Sequence, residues 1–157
     1  MSDTWARSTA RSSLLRARVL LVDDDAGDQY LVRRALADET RDHELLVIDD
    51  GDSALDYLMA APGGDAGARW RPDLVLLDLN LPGSDGFDVL SAVRREPRLE
   101  SMPVVVISTS SREEDIARSY QLGCNAYVVK PESASTFIEV IHAVSNYWLG
   151  ADSRSDS

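Results

Sequence analysis

Cysteine and histidine are scarce in this chain: Cys124 is the single thiol, and His43 and His142 are the two imidazoles among 157 residues. One thiol excludes an intrachain disulfide, and the apolar neighbours of Cys124 point to a buried, reduced side chain. No Cys/His grouping has zinc-site spacing, and each lone histidine reads as a surface or helix-face residue. Long apolar runs are missing too. Nothing approaches the roughly 20 residues that span a bilayer, and the amino terminus lacks the apolar core of a secretory signal, so a cytoplasmic location is expected. Positive charge is in short supply, with 16 Lys and Arg against 27 Asp and Glu and a net charge of −11. That balance argues against a nucleic-acid surface. Arg7, Arg11, Arg16 and Arg18 are the local exception, in or beside a Ser-rich start; residues 1–15 read as a flexible, solvated tail.

A hydrophobic content of 44% is ordinary for one globular domain. Strand-like and helix-like segments alternate five times, a pattern that predicts a parallel sheet with helices on both faces. Strands are expected near Arg18 to Val22, Leu45 to Ile48, Asp73 to Leu77, Val104 to Ile107 and Ala126 to Val129. Helices are expected over Asp28 to Ala37, Asp52 to Ala60 and Phe87 to Arg95, the third stopping ahead of Pro97 because proline disfavours helical geometry just before it. A fourth helix is expected to open on Ser111, with Glu114 completing a capping box, and to end at Gly123. The fifth runs from Ser133 to Leu149 with Gly150 as its stop. The Gly-rich stretch from Ala61 to Pro72 exceeds the roughly 2 to 6 residues usual for such connections and reads as a surface loop. Residues 151–157 read as a disordered tail.

Asp23, Asp24 and Asp25 follow the apolar run Val19 to Val22, and Asp78 follows Leu74 to Leu77. Apolar runs of this length read as buried parallel strands, which puts both acidic clusters at strand carboxyl ends, the edge where open α/β sheets bind ligands. Crowded carboxylates repel unless a cation holds them, and a few hard oxygen donors suit Mg²⁺, which keeps part of its water shell. A metal-assisted phosphoryl site is the chemistry this pattern favours.

Four stretches together carry a specific likeness: VLLVDDD at 19–25, PDLVLLDLNLPGSDGF at 72–87, PVVVISTS at 103–110 and NAYVVKP at 125–131. In this order, each at a predicted strand end, they resemble the receiver domain of two-component response regulators, with the domain expected over residues 16–150. The resemblance implies a single-domain, doubly wound sheet of five parallel strands in the order 2-1-3-4-5. It implies Asp78 as phospho-acceptor, a role that suits a carboxylate at a strand tip. It also implies a Mg²⁺ site from Asp23, Asp24, Asp78 and the backbone carbonyl of Asn80. Asp25 exceeds the family's acidic pair and reads as a turn residue or helix cap. Lys130 is implied as the cation that meets the carboxylate and then the phosphoryl oxygens. Ser108 is implied as the switch hydroxyl, thirty residues after Asp78 and twenty-two before Lys130, in preference to its neighbour Thr109. Tyr127 takes the aromatic switch position, and Asn80 and Ser110 stand where they would set how quickly water removes the phosphate.

About seven residues follow the last predicted helix, so output by protein association is expected. The loop before Pro72, LNLPGSDGFDVL, ISTSSREEDI and the closing FIEV with YW are similar to stand-alone receivers paired with bacterial phytochrome histidine kinases. Tyr147 and Trp148 at the end of the fifth helix would suit a homodimer through the fourth helix, fifth strand and fifth helix. Two other classes share parts of the pattern. A haloacid-dehalogenase-like phosphatase uses an Asp nucleophile with Mg²⁺ but expects an acid where this chain has Asn80. A flavodoxin-like carrier wants a phosphate-cradling loop where this chain has three aspartates.

Overall fold

The computed structural model describes residues 16–39, 42–60 and 71–150. The expected amino-terminal tail, the carboxyl-terminal tail and nearly all of the loop from Ala61 to Pro72 lie outside the described residues. The chain alternates β1 (Ala17–Val22), α1 (Ala26–Ala37), β2 (His43–Ile48), α2 (Gly51–Met59), β3 (Leu74–Leu77), α3 (Gly86–Arg95), β4 (Val104–Ser108), α4 (Glu113–Gln121), β5 (Ala126–Val129) and α5 (Ala134–Leu149). All strand pairs are parallel, and the sheet order is β2-β1-β3-β4-β5. This is the predicted doubly wound α/β sheet.

Strand composition explains the layering. Every residue of β3 and β4 is buried, as expected of parallel strands covered on both faces. Side-chain alternation divides the core in two. Leu20, Val22, Val75, Leu77, Val104 and Val106 pack with Ala54 and Leu58 of α2 and Val89, Leu90 and Val93 of α3. Val19, Leu21, Leu74, Leu76, Val105 and Ile107 pack with Val32 and Leu36 of α1 and Phe137 and Ile141 of α5. Cys124 closes the first layer, and burial raises its thiol to about 11. At pH 8 an aromatic disulfide reagent should therefore label native Cys124 on the order of a hundredfold more slowly than the urea-unfolded chain, because the thiolate is the reactive form. Equal rates in the two states would show an exposed thiol.

Several boundaries differ from expectation. β2 begins at His43 because Ala17 and Arg18 extend the pairing onto His43 and Glu44. α1, α2 and α3 each start one or two residues early, behind aspartate caps: Asp25, Asp50 and Asp85 accept from the amides of Asp28, Ser53 and Asp88. The Ser111 capping box does not form. α4 begins at Glu113 after Arg112, without a side-chain cap, because Ser110 and Arg112 both bond the Asp115 carboxylate. α4 also ends earlier, at Gln121, and Gly123 takes a left-handed φ of 103°. His43 is not a surface residue: its ring is 2% exposed, 3.4 Å from the Glu39 carboxylate and 3.3 Å from the Ser145 hydroxyl. His142 sits on an α5 face, its Nε2 2.8 Å from the Ala35 carbonyl.

Candidate functional site

β1 is the place where the order reverses, with β2 on one side and β3 on the other. A crevice opens there at the strand carboxyl ends. The pairing of Val22 with Leu77 puts Asp23 and Asp78 next to each other, and the Asp78 amide donates to the Val22 carbonyl at 2.9 Å. Both side chains are buried, Asp23 at 2% and Asp78 at 6% exposure, whereas Asp24 faces solvent. The loop after Asp78 is held tightly. A Cβ on Gly86 would fall 2.4 Å from the Asp78 carbonyl oxygen, so this close approach of α3 requires glycine. Ser84 Oγ donates to Asp52 at 2.6 Å, and the Gly51 amide donates to the Pro82 carbonyl, tying that loop to α2.

Lys130 arrives from the far side. Its amide donates to the Ser108 carbonyl at 2.7 Å, which continues the β4–β5 ladder past its end and aims the side chain at the crevice. Its Nζ lies 3.2 Å from Asp23 Oδ2, 3.1 Å from Asp78 Oδ2 and 2.5 Å from Asp28 Oδ2, and the side chain is 8% exposed. Burial alone would lower the ammonium's pKa, but bonding to Asp28 and Asp78 and the charge of Asp23 raise it above the ordinary lysine value. For the two carboxyl groups burial prevails. Burial pushes Asp23 up to about 7 against the pull of the Asp25 amide and Lys130, and burial raises Asp78 against Lys130.

Asp23, Asp24 and Asp78 each offer a carboxylate oxygen within 4.8 Å of the others. Two are buried acids whose charged forms are disfavoured by desolvation, all three are hard donors, and the open side at Asp24 leaves room for water. The set fits a small divalent cation. Asn80, exposed beside the pocket, donates its amide to Asp78 Oδ1 at 3.3 Å.

The predicted switch residues lie along the adjoining strand ends. Ser108 is fully buried and accepts the Ser110 amide at 3.1 Å, whereas Thr109 is exposed, so the hydroxyl that lies inside belongs to Ser108. Tyr127 donates its hydroxyl to the Ser110 carbonyl at 2.8 Å, joining β5 to the loop that carries Ser110. Ser110 Oγ donates in turn to Asp115 at 2.6 Å. Asp25 caps α1 as expected, bonding Asp28 N at 2.8 Å.

Sequence reasoning missed two polar groups here. Asp28 reads in the sequence only as a helix start, yet it bonds Lys130; Gln29 Nε2 donates to the Asp23 carbonyl at 2.8 Å. Position held the clue: an acid in the first turn of a helix that leaves the β1 tip returns to that tip's crevice.

Fold and pocket define a class: a doubly wound α/β protein with a cation-ready carboxylate cluster and a lysine facing each other at the switch point. The sequence matches the response regulator receiver domain over residues 19–142, and the chain belongs to that family. It is 38% identical over 131 residues to the response regulator Rcp1 of Synechocystis, covering 83% of this chain and 88% of that protein. The phosphorylated cyanobacterial phytochrome response regulator RcpA superposes with a TM-score of 0.80 at 39% identity, over 86% of this chain and 95% of that one. The Mn²⁺-bound form of Rcp1 gives 0.78 at 37% identity, over 86% and 96%. A receiver-domain signalling protein is thus established, and the phosphatase and flavin-carrier readings fall away. No helix among the described residues is long and apolar enough to cross a membrane.

Proposed function

We propose that residues 16–150 act as a phosphorelay receiver in the cytoplasm, taking a phosphoryl group from a sensor histidine kinase onto Asp78. The observation that carries this reading is the single ammonium of Lys130 bridging Asp23 and Asp78 beside Asp24. A carboxylate oxygen of Asp78 attacks phosphorus, the bond from phosphorus to the donor's imidazole nitrogen breaks, and the imidazole leaves with its electron pair. Asp23, Asp24, Asp78 and the Asn80 carbonyl would hold Mg²⁺, which supplies charge neutralisation for the phosphoryl oxygens. Lys130 and Ser108 orient those oxygens by donating hydrogen bonds, and Asn80 and Ser110 govern the approach of water during self-catalysed dephosphorylation.

Phosphorylation adds negative charge and strong acceptors at the pocket. Movement of Ser108 toward them shifts the Ser110 loop, and the Tyr127 hydroxyl, bonded to that loop's carbonyl, carries the change to α4, β5 and α5. The same face is our candidate for a homodimer contact and for docking a downstream protein; Tyr147, 74% exposed and stacked edge-on with Trp148, offers an aromatic anchor at the end of α5. Likeness to phytochrome response regulators supports a phytochrome-type kinase as donor.

Acetyl phosphate tests the chemistry without a kinase. Intact-mass measurement should find one added phosphoryl group with Mg²⁺ and none when EDTA replaces it. Uptake in EDTA would remove the cation from the reading.

A further inference from the structure

Lys130 has three N–H donors, and three carboxylates take them. Two of these acids, Asp23 and Asp78, also belong to the cation cluster; the third, Asp28, does not. Asp28 comes from α1, its side chain is 18% exposed, and its 2.5 Å bond to Nζ is the shortest of the three. A phosphoryl group on Asp78 needs a donor from Lys130, yet the ammonium has no spare N–H. Phosphorylation of Asp78 frees the N–H that Asp78 holds, and a second phosphoryl oxygen is met only if another carboxylate releases its own.

We propose that Asp28 is a positioning residue that holds Lys130 in the unphosphorylated protein and competes with the phosphoryl group for its ammonium. The inference rests on the receiver chemistry proposed above. Asp23 stays engaged because a cation draws its oxygens in, so the bond to Asp28 is the second one given up. Releasing a charge-assisted hydrogen bond in a half-dry pocket disfavours the phosphorylated form. Asp28 itself keeps its place without Lys130, because its amide is fixed by the Asp25 cap and its backbone by α1. The residue thus sets the balance between the two states and leaves the acceptor untouched.

Beryllofluoride with saturating Mg²⁺ provides the test, since it occupies the acceptor as a phosphoryl stand-in without covalent chemistry. Asp28→Asn keeps the shape and an acceptor oxygen but loses the charge that grips Lys130. It should bind beryllofluoride about 3- to 10-fold more tightly than wild type, a range set by part of one charge-assisted bond. Mg²⁺ alone should bind about 2- to 3-fold more weakly, because the pocket loses one negative charge near Asp23. Damage to the fold would weaken both ligands, so opposite movements carry the proposal. Asp25→Asn, which removes an equal charge from the same helix end without touching Lys130, should leave beryllofluoride affinity unchanged. Equal affinity in wild type and Asp28→Asn, or the same gain in Asp25→Asn, overturns the role of Asp28 while the receiver reading stands. Failure of wild type to bind beryllofluoride with Mg²⁺ takes down both.

Discussion

Asp78→Asn should take up no phosphoryl group from acetyl phosphate under conditions that fully label the wild type. An amide oxygen cannot form the mixed anhydride, so the loss is complete and separates this position from every neighbour whose removal only slows the reaction. The substitution is nearly isosteric. Its side-chain oxygen still meets the Asn80 amide or the Lys130 ammonium, which in wild type lie 3.3 Å and 3.1 Å from the two carboxylate oxygens. The variant should therefore stay folded and melt no lower than wild type without metal, because a buried carboxylate raised by desolvation has been replaced by a neutral group. Intact mass and a thermal melt on the same sample check both halves. Residual label on a folded variant would move the acceptor to another acid, with exposed Asp24 first in line.

Much of this site was legible because its parts follow strands that are easy to read. Val19 to Val22, Leu74 to Leu77 and Val104 to Ile107 are short and apolar with β-branched members, so the residues after them had to lie at one sheet edge. Asp23, Asp78, Ser108 and Lys130 are brought together for that reason, and backbone ladders fix them to within a residue. Side chains that come back from helices were harder. Asp28 carries no mark that separates an acid favoured by the helix dipole from one reaching a lysine 102 residues away. His43 reads as a surface or helix-face residue because it stands alone in the sequence, but the alternation of an edge strand sends its ring inward, under α5. At α4 the local capping signal of Ser111 lost to a network that needs tertiary placement, in which Ser110 serves Asp115 and receives Arg112.

Without divalent metal, the protein should lose stability as the pH rises from 5 to 8, opposite to the usual response of a paired carboxylate. Burial pushes Asp23 up to about 7 in the folded chain, against about 3.9 when unfolded, and raises Asp78 in the same direction. Between those values the native state binds protons that the unfolded state has released, so the unfolding free energy falls with pH and the loss is complete above about 7. About two of the three units between those values lie above pH 5, which sets a ceiling of about 2.7 kcal/mol over the measured range, and roughly 2 kcal/mol is expected once solvent at Asp24 has moderated the field. Lys130 stays charged throughout, since its own pKa is raised. Mg²⁺ at a hundred times its dissociation constant should restore about 2.7 kcal/mol at pH 8, and much less at pH 5, where protons hold the ligand oxygens. Urea unfolding at the two pH values, in EDTA and in Mg²⁺, measures this directly. Asp23→Asn is the decisive control: it should flatten the metal-free profile, and a slope that persists undiminished in that variant would assign the effect to another group.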